Sequence, residues 1–180
     1  TPLMDNNGNI TSHLVGFASR VSNLMEKNIK LAFVFDGKPP ELKFEESQRR
    51  RELKVKAQEK YDEAKEEDNK ENMYKYSRQT IKLTKEIKEE SKEFIKALGI
   101  PVIQAPSEAE AQASFMAEKG DVFAVVSQDI DSLLYSTPIL IRNLTVSSKK
   151  RIRGTYIKIN PEIYDLNHVL KTLDINKDQL

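Results

Sequence analysis

Five acidic residues fall in three short motifs, each just past an apolar run. Asp36 follows Leu31-Ala32-Phe33-Val34-Phe35. Glu108 and Glu110 follow Ile100-Pro101-Val102-Ile103-Gln104 across the turn Ala105-Pro106. Asp129 and Asp131 follow Val122-Phe123-Ala124-Val125-Val126 across Ser127-Gln128. Such runs read as buried parallel strands, and open α/β sheets place their ligand crevice at the C-terminal ends of their strands. Five carboxylates in one crevice repel one another and cannot all stay ionised there alone, a conflict that divalent cations resolve. All-oxygen ligation without His or Cys selects Mg²⁺ or Mn²⁺ over Zn²⁺. Two such ions ~4 Å apart are the usual apparatus for in-line phosphodiester hydrolysis.

Plainer roles compete with that chemistry. Ser107-x-x-Glu110 is also a helix capping box, Asp129 also suits a helix N-cap, and Asp36 also suits a turn before Gly37. Taken singly, each motif favours the plain role. Three of them at equivalent strand ends, two with doubled acids that capping does not require, favour a metal site.

The elements that must position these residues follow from periodicity. Leu14, Phe17, Val21, Leu24 and Met25 mark an amphipathic helix over residues 11–28, entered through the loop Asn6-Asn7-Gly8-Asn9. A strand over 31–35 ends at Asp36-Gly37-Lys38-Pro39-Pro40. Of the 56 residues 41–96, 16 are basic and 15 acidic, with no Gly or Pro. Up to about Asp68, Leu53, Val55, Ala57, Tyr61 and Ala64 make no core face, so this helix is polar nearly all round and projects into solvent or frames an opening. A stripe through Tyr76, Ile81, Leu83, Ile87, Phe94, Ile95 and Leu98 then marks a packed helix that stops at Gly99. Beyond it an α/β rhythm predicts strands at 100–103, 122–126 and 138–142 and helices at 107–119 and 129–134. A basic turn, Lys149-Lys150-Arg151, is expected between strand halves over 146–159, and a final helix directly after Asn160-Pro161. The expected fold is α/β, a mainly parallel sheet flanked by helices with a highly charged helical insertion.

Composition excludes several classes. The 180 residues carry a formal net charge of +1, with 29 Lys+Arg against 28 Asp+Glu, which excludes a uniformly basic nucleic-acid coat. No cysteine means no disulfide framework, thiol catalysis or Cys-ligated metal, and points to a reducing compartment. No apolar run approaches the ~18 residues that span a bilayer, and no secretory signal is expected. Arg20, Lys149, Lys150, Arg151 and Arg153 are candidate phosphate contacts. His13 and His168 have no acidic or Ser partner at triad-like spacing and are expected to be structural or surface residues.

The stretches VFDGKPPELK, GIPVIQAPSEAEAQASFMAEKG and SQDIDSLLYSTPILIRNLT resemble the flap endonuclease family of structure-specific 5′-nucleases. The resemblance runs from TSHLVGF to RNLT, and SQDIDSLL and RNLT are closer to archaeal members than to eukaryotic ones. It implies an enzyme that cleaves 5′ flaps on branched DNA with two Mg²⁺ ions (Mn²⁺ able to substitute), acts as a 5′–3′ exonuclease, and serves DNA replication and repair. By motif, Asp36, Glu108, Glu110, Asp129 and Asp131 match the family's metal ligands. Lys43, seven residues after Asp36, and Arg50, seven further on, match its catalytic lysine and arginine; the neighbours Arg49 and Arg51, and Arg20 on the first helix, are candidate DNA contacts. Seven residues are two helical turns, so Lys43 and Arg50 can share a face. Residues 41–96 correspond to the helical arch, and 1–40 with 97–180 to the nuclease core.

The resemblance also implies that the chain is the central portion of a single, incomplete nuclease domain. Further metal-site aspartates belong before residue 1 and after residue 180, Asp178 is not one of them, and the 180 residues alone are expected to be inactive. A C-terminal tail outside this chain would bind a sliding clamp. The protein is expected to be an intracellular monomer without membrane contact, in the cytoplasm or nucleoid if archaeal and the nucleus if eukaryotic. Two readings from other classes stand beside it. A Mg²⁺-dependent phosphatase or phosphotransferase would leave the charged helices unexplained. A non-catalytic interaction module would be indifferent to metal.

Overall fold

The computed structural model describes residues 3–6, 11–67, 69–77, 84–144, 149–152 and 155–180. In chain order they form α1 (Ser12–Met25), β1 (Phe33–Phe35), α2 (Phe44–Glu66), α3 (Lys70–Ser77), α4 (Lys85–Ala97), β2 (Val102–Gln104), α5 (Ala109–Lys119), β3 (Val125–Val126), β4 (Ile139–Arg142), β5 (Lys149–Ile152), β6 (Thr155–Lys158), β7 (Glu162–Asp165) and α6 (Leu166–Leu173). Short 3-10 helices span Glu41–Lys43 and Ile130–Leu133. Asn7, Gly8, Asn9, Asp68, Ile81, Leu83, Thr145, Val146 and Arg153, all used in the sequence reading, lie outside the described residues.

Contacts divide the chain into two units. One comprises Thr1–Phe17 and Pro39–Gly99 and is helical. Its long helix α2 is polar nearly all round, as its composition predicts. Among its 23 residues only Ala57 and Ala64, two turns apart on one face, are buried, while Leu53 and Val55 are exposed. α2 packs against α3, and Lys60 of α2 lies 5.9 Å from the Tyr76 ring centre of α3. In α4 Thr84 caps the first turn, its hydroxyl accepting from the Ile87 amide at 3.3 Å, and Ser91 and Ile95 are buried. Gly99 terminates the segment at φ +75°, a conformation that strains a side chain with a Cβ.

The other unit, Ala18–Lys38 and Ile100–Leu180, carries the strands. β1 pairs parallel with β2, Phe35 opposite Gln104. β3 pairs parallel with β4, and β4 antiparallel with β7, giving the order β3-β4-β7. β5 and β6 form an antiparallel hairpin. The core lies where α5 and α6 meet the β3-β4-β7 sheet: Ala117, Val125, Leu133, Leu140 and Leu166 are buried together, with Tyr164, Val169 and Leu170 packed against them.

The α/β class holds, with differences in detail. The mainly parallel sheet is replaced by small sheets, two of their pairs parallel and two antiparallel. After Pro161 the chain forms β7, not a helix, because Glu162–Asp165 pairs with β4 from Ile139↔Asp165 to Arg142↔Glu162. α6 starts only at Leu166, where the Asp165 carboxylate accepts from the His168 amide at 2.9 Å. Lys149, Lys150 and Arg151 lie in the strand β5, not in a turn. Among the described residues no helix is long and apolar enough to cross a membrane.

Candidate active site

In the strand-bearing unit, the exit of β1 and the turn after β2 are knitted together before α5 begins. The Gln104 side-chain amide donates to the carbonyls of Phe35 at 3.1 Å and Asp36 at 2.7 Å. The Gly37 amide donates to Ser107 O at 2.6 Å, and that of Lys38 to Pro106 O at 3.2 Å. A Cβ on Gly37 would overlap the backbone carbonyls of Ala105 and Pro106, so the close approach of these loops needs glycine there.

That approach brings Asp36 to the start of α5. Its Oδ1 accepts from the Ala109 amide at 2.9 Å, the first amide of the helix. The capping box suggested by Ser107-x-x-Glu110 does not form: the N-cap residue is Glu108, and its side chain makes no capping hydrogen bond. Asp36 caps α5 from 73 residues away, and Glu108 and Glu110 are left half-buried in the same first turn. A carboxylate at a helix N-terminus is also favoured by the helix dipole.

Asp129 and Asp131 sit just past β3. The Asp129 amide donates to Ser127 Oγ at 3.0 Å, and the Asp129 carboxylate accepts from the Asp131 amide at 3.3 Å, so its plain capping role is realised. A buried polar cluster joins this turn to α5. Ser114 Oγ lies 3.3 Å from Ser132 O and beside Thr137 Oγ1, and Thr137 Oγ1 donates to Ser132 O at 2.7 Å. Ser114, Ser132 and Thr137 are all fully buried. The helix that starts with Glu108 and Glu110 is thereby held to the turn that carries Asp131.

The donor chemistry fits hard divalent cations: five carboxylates, no nitrogen or sulfur ligand, each at the C-terminal end of a parallel-paired strand. The structure brings Asp36 together with the Glu108–Glu110 turn, and Asp129 with Asp131. Among the described residues, however, no three Asp, Glu or His side chains converge as a metal-holding group. Five like charges repel, and Asp36 and Asp129 each commit an oxygen to a backbone amide.

Lys43 and Arg50 belong to the helical unit. Lys43 ends the 3-10 helix and stands at the N-cap of α2 without a side-chain capping bond. Arg50 donates from Nε to Glu46 Oε1 at 2.8 Å, and Arg49 donates from Nε and Nη2 to the same carboxylate at 2.7 and 3.0 Å. The two guanidiniums lower the Glu46 carboxyl from its ordinary 4.5 to about 2. Arg51 is exposed on α2, on a face it shares with Glu52, Val55 and Lys56. Arg20 is exposed on α1. His13 does have an acidic neighbour: its Nε2 lies 3.0 Å from Glu90 Oε2. No sequence signal marks a pairing across 77 residues. His168 is exposed on α6.

Known proteins are similar to this chain over nearly its whole length. The XPG N-terminal domain family matches residues 1–57, and the XPG I-region family matches residues 99–180. The flap endonuclease 1 of Pyrococcus horikoshii is 50% identical over 182 residues, covering 100% of this chain and 53% of that protein. That of Ignicoccus hospitalis is 49% identical, covering 99% of this chain and 52% of its own length. The chain thus spans about half the length of the curated relatives it matches. Among solved structures, the flap endonuclease-1 of Methanococcus jannaschii superposes with a TM-score of 0.68 at 43% identity, over 99% of this chain and 53% of that one. The catalytic core of Rad2 in complex with DNA substrate does so with a TM-score of 0.67 at 26% identity, over 93% of this chain and 42% of that one. With the two regions matched on either side of the charged helices, the chain belongs to the XPG family, of which it carries the N-terminal domain and the I-region.

Proposed function

We propose that the protein carrying this chain is a structure-specific 5′ flap endonuclease, with 5′–3′ exonuclease activity, that hydrolyses DNA phosphodiesters in replication and repair. The observation that carries this reading is the set of five strand-end carboxylates, in motifs shared with the flap endonuclease family, on a chain half identical to an archaeal flap endonuclease 1. The substrate is branched DNA with a 5′ flap. The solved Rad2 core, bound to DNA substrate, supports a DNA ligand for this fold.

In this reading Glu108, Glu110, Asp129, Asp131 and the remaining oxygen of Asp36 hold divalent cations, Mg²⁺ with Mn²⁺ able to substitute. Such ions, when bound, neutralise phosphate charge and lower the pKa of attacking water. The chain's own contribution is to fix the ligands: Asp36 on the α5 amide, Glu108 and Glu110 on the first turn of α5, and Asp129 and Asp131 on a turn locked through Ser114. Lys43 and Arg50 supply fixed positive charge toward the scissile phosphate. The charged helices of residues 41–96 form the arch that admits the single-stranded flap.

The test is cleavage of labelled double-flap DNA by the full-length protein, with and without Mg²⁺. Mg²⁺-dependent release of the 5′ flap, abolished by Asp129→Ala, is expected; no release, or equal activity in the variant, refutes the assignment. Lys43→Ala and Arg50→Ala should each slow single-turnover cleavage, Lys43→Ala with near-normal DNA binding. Weakened binding alone would make them phosphate anchors instead.

A further inference from the structure

Glu46 is the most heavily engaged carboxylate on α2. It accepts three hydrogen bonds, two from Arg49 and one from Arg50, at 2.7 to 3.0 Å. Positions three and four residues apart share a helix face, so Glu46, Arg49 and Arg50 meet there. Glu46 is also three residues after Lys43 and four before Arg50, between the two residues assigned to phosphate. Two guanidinium forks around one oxyanion is the arrangement that recognises phosphates as well as carboxylates.

We propose that Arg49 and Arg50 form a two-guanidinium site for one backbone phosphate of the DNA strand, and that Glu46 is its internal occupant, displaced when the phosphate binds. This rests on the reading that α2 meets DNA. The arginine side chains remain 67% and 73% exposed while bonded to Glu46, so a second anion can approach them from solvent. Exposed ion pairs of this kind are weak. A phosphodiester offers the same single charge and also releases counterions from the DNA, which favours the exchange. In the absence of DNA, Glu46 keeps two extended arginines ordered and neutralises part of the charge by which they would attract other anions. Glu46 is thus a positioning residue that is exchanged for substrate.

The experiment measures the affinity of the full-length protein for fluorescent double-flap DNA, with Ca²⁺ in place of Mg²⁺, across a salt series. Glu46→Gln should bind about two- to fivefold tighter, the range that loss of an exposed ion pair allows. Its affinity should fall more steeply with salt. Glu45→Gln removes the same charge one residue away, from a side chain with no hydrogen bond to either arginine, and controls for net charge. The gain of Glu46→Gln should exceed that of Glu45→Gln and vanish when Arg49 and Arg50 are both alanine. Equal effects of the two Gln variants, weaker binding by Glu46→Gln, or a gain that survives loss of the arginines overturns the proposal. If the double arginine variant alone leaves affinity and cleavage unchanged, the underlying assignment of this helix to DNA fails as well.

Discussion

Asp36 has two separable tasks, and one pair of substitutions tells them apart. Its Oδ1 caps the first amide of α5 at 2.9 Å, and its other oxygen is the proposed cation ligand. Asp36→Ala removes both. Loss of a capping oxygen costs about 1 kcal/mol, within a range of roughly 0.5–2. No side chain within α5's own N-terminus replaces it, since Glu108 makes no capping bond. Asp36→Asn keeps a carbonyl oxygen that can accept from Ala109, and Asn caps about as well as Asp, so its stability should stay within about 0.5 kcal/mol of the original. Its Nδ2, however, would present donors where a cation needs an acceptor. The expected outcome is a split: Asp36→Ala is destabilised and inactive, while Asp36→Asn is nearly as stable and equally inactive. Urea unfolding of the full-length variants measures the first quantity, and flap cleavage against Mg²⁺ concentration the second. If the variants are equally stable, the long-range cap contributes nothing. If Asp36→Asn cleaves with an unchanged Mg²⁺ requirement, Asp36 is a capping residue only.

Three further outcomes follow from the same geometry. Gly37→Ala drives a Cβ into the Ala105 and Pro106 carbonyls; strain of about 1–3 kcal/mol, read by urea midpoint, should accompany loss of cleavage, and a neutral substitution would contradict the tight loop approach. Ser114→Ala removes the α5 hydroxyl from the buried cluster with Ser132 and Thr137, and should cost about 1–2 kcal/mol while raising the Mg²⁺ concentration for half-maximal cleavage. Because the folded Glu46 carboxyl is depressed from 4.5 to about 2, its contribution is complete above pH 4.5 and lost as the pH falls toward 2. A side-chain carboxyl NMR titration should find it ionised at pH 3.5, and a midpoint near 4.5 would deny the arginine pairing.

The placement of the candidate residues was legible because its signals are local. The apolar runs before Asp36, Glu108 and Asp129 announce strand ends within a few residues. The near absence of apolar residues in α2 announces a helix that buries only Ala57 and Ala64. Gly99 marks a helix stop that its positive φ explains. Strand lengths were less legible: apolar content sets how much chain can be buried, but ladder hydrogen bonds end where a neighbouring strand ends, and 31–35 shortens to Phe33–Phe35.

The sequence by itself determined which acidic residues follow the strands, because the apolar runs that precede Asp36, Glu108 and Asp129 are local features of the chain. It also determined the polar character of the long helix, since periodicity and charge are properties of adjacent residues. Only the tertiary structure decided which oxygen does what. Ser107 and Glu110 have the spacing of a capping box, yet the helix starts one residue later and its first amide donates to Asp36, which reaches it because Gly37 lets two loops touch. Residues 162–165 follow a proline that suits a helix start, yet pairing with β4 makes them a strand and moves the cap to Asp165. His13 and Glu90 meet across 77 residues. A polar group takes whichever partner packing brings nearest, and for the Ala109 amide, the β7 backbone and His13 that partner comes from a distant part of the chain.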